Sequence, residues 1–120
     1  MKRIGFVTAN KVLAQSLAAT IESRPEWELE PCLLLNPGQA ALDAEVLRLD
    51  AVVIDVADMA PDETDALCRT LRRTAGCQLL LLAPKTGRRM AVGAVRNRTA
   101  DDFIFCDTSL DYLLAKLAAI

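Results

Sequence analysis

Short apolar runs alternate with segments of helical periodicity along the whole chain. The runs are "RIGFV" (3–7), "EPCLLL" (30–35), "AVVID" (51–55), "QLLLLA" (78–83) and "DFIFC" (102–106). Each is the length of a strand and each is bounded by polar or turn-forming residues. Between them lie five helical patterns. Asn10 is placed to cap a helix over 11–23, with Leu13, Leu17 and Ile21 inward at i+4 spacing and Pro25 ending it. Asn36 and Pro37 read as cap and first helical residue of a second helix over 37–49, with Leu42 and Val46 inward. Pro61, Asp62 and Glu63 open a third helix with negative charge at its positive end. Arg69, Arg72 and Arg73 sit in its last turns, and Gly76 terminates it in the left-handed region. A weaker helix over 88–97 carries Gly93 in its middle, which costs about 1 kcal/mol relative to Ala. Thr108 and Asp111 resemble a capping box for a last helix running to Ile120, with Leu110, Leu113, Leu114 and Leu117 inward.

Strand and helix thus alternate five times. Runs 51–55 and 78–83 are continuously apolar, as central parallel strands covered on both faces are. Right-handed crossovers then leave few arrangements. The pattern predicts an α/β chain with one domain over 1–120. Its form is a (βα)5 flavodoxin-like three-layer sandwich with a parallel five-stranded sheet in the order 2-1-3-4-5. In such sheets functional groups gather beyond the C-terminal strand ends. Those ends carry Thr8, Ala9, Asn10, Asp55, Ala83, Pro84, Cys106 and Asp107.

Composition narrows the chemistry. The chain has 120 residues, 52% hydrophobic and 25% charged, with a net charge of −2. That suits one globular domain and gives no overall attraction to nucleic acid or anionic membrane. The longest apolar run, 79–84, is too short to span a bilayer. The N-terminus lacks the long apolar stretch of a signal peptide, so the cytoplasm is the expected compartment. There is no histidine, and the four cysteines form no CxxC pair. A zinc site is not expected, nor is a Ser-His or Cys-His nucleophile. The cysteines read as small, mostly buried hydrophobes in a reducing compartment.

Asp55 poses the functional question: it follows four apolar residues and stands at a pocket mouth. The stretch "DAVVIDVADMAP" (50–61) resembles the third strand of response-regulator receiver domains of the CheY-like kind. Those read Asp, a few aliphatics, the phospho-accepting Asp, then a loop ending in Met-Pro. Here Ala60 separates Met59 from Pro61. "ADDFIFCDTSLDYLLAKL" (100–117) resembles the receivers' fifth strand and last helix. The resemblance spans the whole chain and implies two-component signal transduction, with Asp55 at the phospho-acceptor position. It also implies what is missing. Receivers hold Mg²⁺ with an acidic pair after the first strand, where this chain has Thr8 and Ala9. They place a switch hydroxyl at the end of strand 4, here Ala83, and a phosphate-binding Lys at the end of strand 5, here Cys106. Asp107 replaces the proline that follows that Lys. The aromatic switch position falls near Phe103 or Phe105. Phosphoryl transfer needs cations and fixed donors around the developing charge, and one lost donor costs about 3–4 kcal/mol. The expectation is a degenerate, or pseudo-, receiver with no catalytic residue, no cofactor and the family's Mg²⁺ site lost, in which Asp55 is a structural acid taking backbone N–H bonds from the next loop.

Three other readings stand beside it: a receiver phosphorylated at Asp55 with atypical partners, a small ligand-binding or enzymatic flavodoxin-like domain, and a weak cation site formed by Asp55, Asp58 and Asp107. Cys106 reads as a small residue filling the space of the missing Lys, since Asp107 opposes a reactive thiolate. The strip "PKTGRRMAVGAVRNR" (84–98) holds Lys85, Arg88, Arg89, Arg96 and Arg98. "KTG" there is not a P-loop, and the strip lacks the aromatic interleaving of a nucleic-acid surface. Receivers commonly dimerise or bind partners through helix 4, strand 5 and helix 5. On that precedent the arginines would pair across a two-fold with Asp101, Asp102 and Asp111. In receivers an output domain commonly follows the last helix, which implies the same here in a longer chain. Trp27 reads as a surface cap on the core, and Tyr112 as a second isolated aromatic.

Overall fold

Each of the five apolar runs forms a strand in the computed structural model, which describes residues 1–34, 36–57 and 59–120. The strands are β1 (Lys2–Val7), β2 (Leu29–Leu34), β3 (Ala51–Asp55), β4 (Gln78–Ala83) and β5 (Asp102–Phe105). The helices are α1 (Lys11–Glu22), α2 (Ala40–Leu47), α3 (Pro61–Thr74), α4 (Arg88–Arg96) and α5 (Leu110–Ala118). All strand pairs are parallel and the order is β2-β1-β3-β4-β5. The flavodoxin-like α/β sandwich expected from the alternation is therefore the observed one. Leu35, the last residue of the predicted second strand, lies outside the described residues.

Alternation of side chains across the sheet builds two apolar layers. Ile4, Phe6, Ala51, Val53, Leu80, Leu82 and Ile104 face one layer, closed by Leu17 and Ile21 of α1 and by Leu113, Leu114 and Leu117 of α5. Val7, Val52, Ile54, Leu79, Leu81 and Ala83 face the other, under Ala40, Ala44, Leu67, Cys68, Leu71 and Ala91 from α2, α3 and α4. Trp27, on a short 3₁₀ helix opened by Pro25, packs half-buried against the first layer, as a cap on the core should.

Local rules set most helix ends. Asn10 Oδ1 accepts the Leu13 N–H at 3.1 Å and starts α1. Gly76 adopts φ 65° just past α3, and its N–H closes on Leu71 O at 3.2 Å. Two ends differ from expectation. Ser109, not Thr108, caps α5 by accepting from Tyr112 N, and this phasing leaves Leu110 exposed. Residues 37–39 form a turn on Asn36, whose Oδ1 accepts Gly38 N at 3.0 Å, so α2 begins only at Ala40.

The second helix also corrects the predicted core. Leu42 and Val46 point outward, 53% and 71% exposed, while Ala40 and Ala44 are buried. The reason lies in the layer beneath. Leu34 and Leu49 already fill it over Gly5, where an added Cβ would sit 2.6 Å from Leu49 Cδ1. The large side chains come from the sheet and the following loop, leaving room for alanine from the helix.

Gly93 lacks any such packing reason: a Cβ there meets nothing within 4 Å. Gly93→Ala is expected to stabilise the fold by about 0.5–1 kcal/mol through helix propensity. Thermal unfolding should show a rise of a few degrees; a lower midpoint would contradict this account of α4.

Candidate functional site

Register brings Asp55 and Thr8 together. Val7 pairs with Ile54 across β1 and β3, so the next residues on each strand stand side by side. The Thr8 hydroxyl donates to Asp55 Oδ2 at 2.7 Å and accepts from Asn10 N at 3.0 Å. Asp55 Oδ1 accepts the Ala57 N–H at 3.1 Å. Both oxygens of the carboxylate are thus engaged, one by the neighbouring strand and one by its own loop. Thr8 is buried and Asp55 half-buried, and the chain of bonds runs on through Asn10 to the first turn of α1. The loop after β3 thus supplies Asp55 with one backbone N–H.

The surrounding positions are spread apart. Ala9 is exposed. Ala83 is wholly buried in the layer under α2, α3 and α4. Cys106 is exposed, so it does not fill a vacated space as expected. It stands past the end of β5, where its N–H donates to Ala83 O at 2.9 Å and its side chain faces solvent. Asp107 beside it forms an ion pair with Lys85, Oδ2 to Nζ at 3.2 Å. Sequence reading missed that pair, counting Lys85 only with the basic strip. Ala83 pairs with Phe105 at the end of the β4–β5 ladder, and Lys85 and Asp107 each lie two residues beyond it. Asp58, the third acid of the proposed cation cluster, lies outside the described residues. Among the described residues no three of Asp, Glu, Cys and His are grouped to hold a metal ion. Burial pushes the Cys68 thiol up to about 11, against the pull of Arg72, and raises Cys77 and Cys32 as well, which disfavours their thiolates.

The acids expected to serve a two-fold interface are engaged within the chain. Asp101 Oδ1 pairs with Arg72 at 2.9 Å, and its Oδ2 accepts Leu79 N at 2.7 Å. Asp102 pairs with Lys116, and Asp111 with Arg24. Arg88, Arg89, Arg96 and Arg98 are all exposed, and among the described residues none has an ion-pair partner. The basic half of that surface is present; its acidic half is already taken. Phe103 and Phe105, the two aromatic candidates of β5, meet edge to face with centroids 5.6 Å apart, each half-buried.

No described helix is long and apolar enough to cross a membrane. No protein-family profile matches the sequence. No curated protein matches it either. Solved structures do match over nearly the whole chain. A two-component response regulator from Clostridium difficile superposes with a TM-score of 0.82 at 18% identity, covering 99% of this chain and 94% of that one. A response regulator from Thermotoga maritima gives 0.81 at 18% identity, covering 99% and 96%. A member of a family of redox sensors in the streptococci, evolved from two-component response regulators, gives 0.80 at 20% identity. It is covered over 50% of its length by 99% of this chain. At these identities the likeness speaks for architecture, and the architecture is the receiver fold of response regulators.

Proposed function

We propose that this chain is a receiver-like signalling module, not an enzyme, that works by protein contact without standard Mg²⁺-dependent phosphorylation of Asp55. The observation that carries the reading is the closed contact between Asp55 and Thr8 at 2.7 Å. A phospho-acceptor needs a free carboxylate oxygen, a metal beside it and a cation beyond it. Here Thr8 donates to one oxygen, Ala9 offers no ligand, and the resemblance to receivers puts Cys106 at the position of their lysine. We assign the contact surface to α4, bordered by β5 and α5, because its three arginines, and Arg98 just past its end, are exposed and uncommitted. The four free thiols suit the reducing cytoplasm. In a longer chain an output domain would follow α5.

Incubation with acetyl phosphate and Mg²⁺, read by intact mass, tests the first half of the reading. The protein is expected to remain unmodified. Stoichiometric phosphorylation that disappears in Asp55→Asn would overturn it.

A further inference from the structure

Two helices on the same side of the sheet carry surfaces that their own chain leaves without a complement. On α4, Arg88, Arg89, Val92 and Arg96 share the outer arc and line one shallow groove, with Gly93 at its margin. Val92 is 38% exposed between the guanidinium groups. On α2, Leu42 and Val46 form an exposed apolar crest one turn apart. Asp43 and Glu45 flank that crest, one to each side, and neither is ion-paired among the described residues. The helix has no cation of its own; Arg48 follows at its end. An apolar crest with acidic flanks is the counterpart of a groove with an apolar floor and a basic rim.

We propose that the chain self-associates head to tail, the α2 crest of one copy seating in the α4 groove of the next. This rests on the reading of α4 as a protein-contact surface and names its partner as a second copy. Stacking α4 on α4 would set arginine against arginine and α2 on α2 acid against acid, whereas α2 on α4 pairs opposite charges. The acids at the start of β5 and on α5 already have partners within the chain, Asp101 with Arg72, Asp102 with Lys116 and Asp111 with Arg24, whereas Asp43 and Glu45 have none among the described residues. Placement also suits a heterologous contact. The α2 helix follows β2 at one edge of the sheet, while α4 packs on β4 and β5 at the other. One copy cannot close the contact on itself, so the contact joins separate copies, and a head-to-tail series leaves one α2 and one α4 open at its ends. The helices have 8 and 9 residues, about 12–14 Å each, so the contact falls at the small, transient end of interface sizes. It is concentration-dependent and screened by salt.

Analytical ultracentrifugation of the whole chain at low salt tests this. The weight-average mass should climb beyond a dimer with concentration and fall back toward the monomer in 1 M salt. Arg89→Ser/Arg96→Ser and Leu42→Lys/Val46→Lys change only exposed positions, and circular dichroism checks that both variants fold. Each alone should weaken association at least about tenfold. Mixed in equal amounts, they should form a heterodimer that grows no further, because one retains an intact α2 and the other an intact α4. A wild-type chain that stays monomeric at high concentration, a dimer that survives in either variant, or a mixture that fails to pair overturns the proposal. None of these results bears on labelling of Asp55, so the two readings fail separately.

Discussion

Asp101→Ala is expected to destabilise the fold by about 2–3 kcal/mol, far more than a surface acid would. Asp101 stands one residue before β5 and completes the β4–β5 ladder with its side chain. Its N–H donates to Leu79 O at 2.9 Å while its Oδ2 accepts Leu79 N at 2.7 Å. Leu79 is buried, so truncation leaves its N–H without a partner, at a cost of about 1–3 kcal/mol. The ion pair with Arg72 is partly exposed on both sides and adds only about 0–1 kcal/mol. Arg72 Nε also donates to Thr99 O at 3.1 Å, so the pair ties α3 to the connection that leads into β5. Asp101→Asn separates the two contributions. Its amide oxygen still accepts from Leu79, and the loss should stay below about 1 kcal/mol. Urea unfolding of the three proteins measures both steps. If the alanine variant lies within about 0.5 kcal/mol of wild type, the size of a neutral surface change, the ladder role is wrong.

That residue illustrates where sequence reading stops. Asp101 was legible as a charge near β5, and a surface role follows naturally from that. Its true neighbours, Arg72 and Leu79, are brought by α3 and β4, and nothing local announces them. Asp111 with Arg24 and Asp102 with Lys116 are similar, the first joining α5 to the turn after α1. Strands were easier. The runs 51–55 and 78–83 are apolar at every core position because layers cover both faces, and the periodicity of α1 and α5 shows which layer they close. The second helix failed for a reason of volume. Hydrophobic weight alone turns Leu42 and Val46 inward, but Leu34 and Leu49 leave only alanine-sized space. At the strand ends, the contact between Thr8 and Asp55 follows from the β1–β3 register, and that between Lys85 and Asp107 from the neighbouring ends of β4 and β5. Each becomes visible once the strand order is known and remains hidden in the linear pattern.

Thr8→Val is expected to cost about 1.5–3 kcal/mol, although valine keeps the size and branching of threonine and suits a strand end. The substitution removes the donor to Asp55 Oδ2 and the acceptor for Asn10 N in one step. Water can reach exposed Asn10 but reaches half-buried Asp55 less freely, so most of the loss belongs to the carboxylate. Asp55→Ala removes the same bond from the other side, together with the Ala57 contact. If Thr8 and Asp55 form one structural unit, the two losses overlap, and the double variant should be less destabilised than their sum by about 1–2 kcal/mol. Denaturant midpoints for the four proteins of this cycle supply the number. Strict additivity would mean that the hydroxyl and the carboxylate act independently. The closed contact would then no longer support a structural role for Asp55. A coupling of the expected size would instead give Asp55 a structural role: it holds the end of β3 to β1 and to the start of α1.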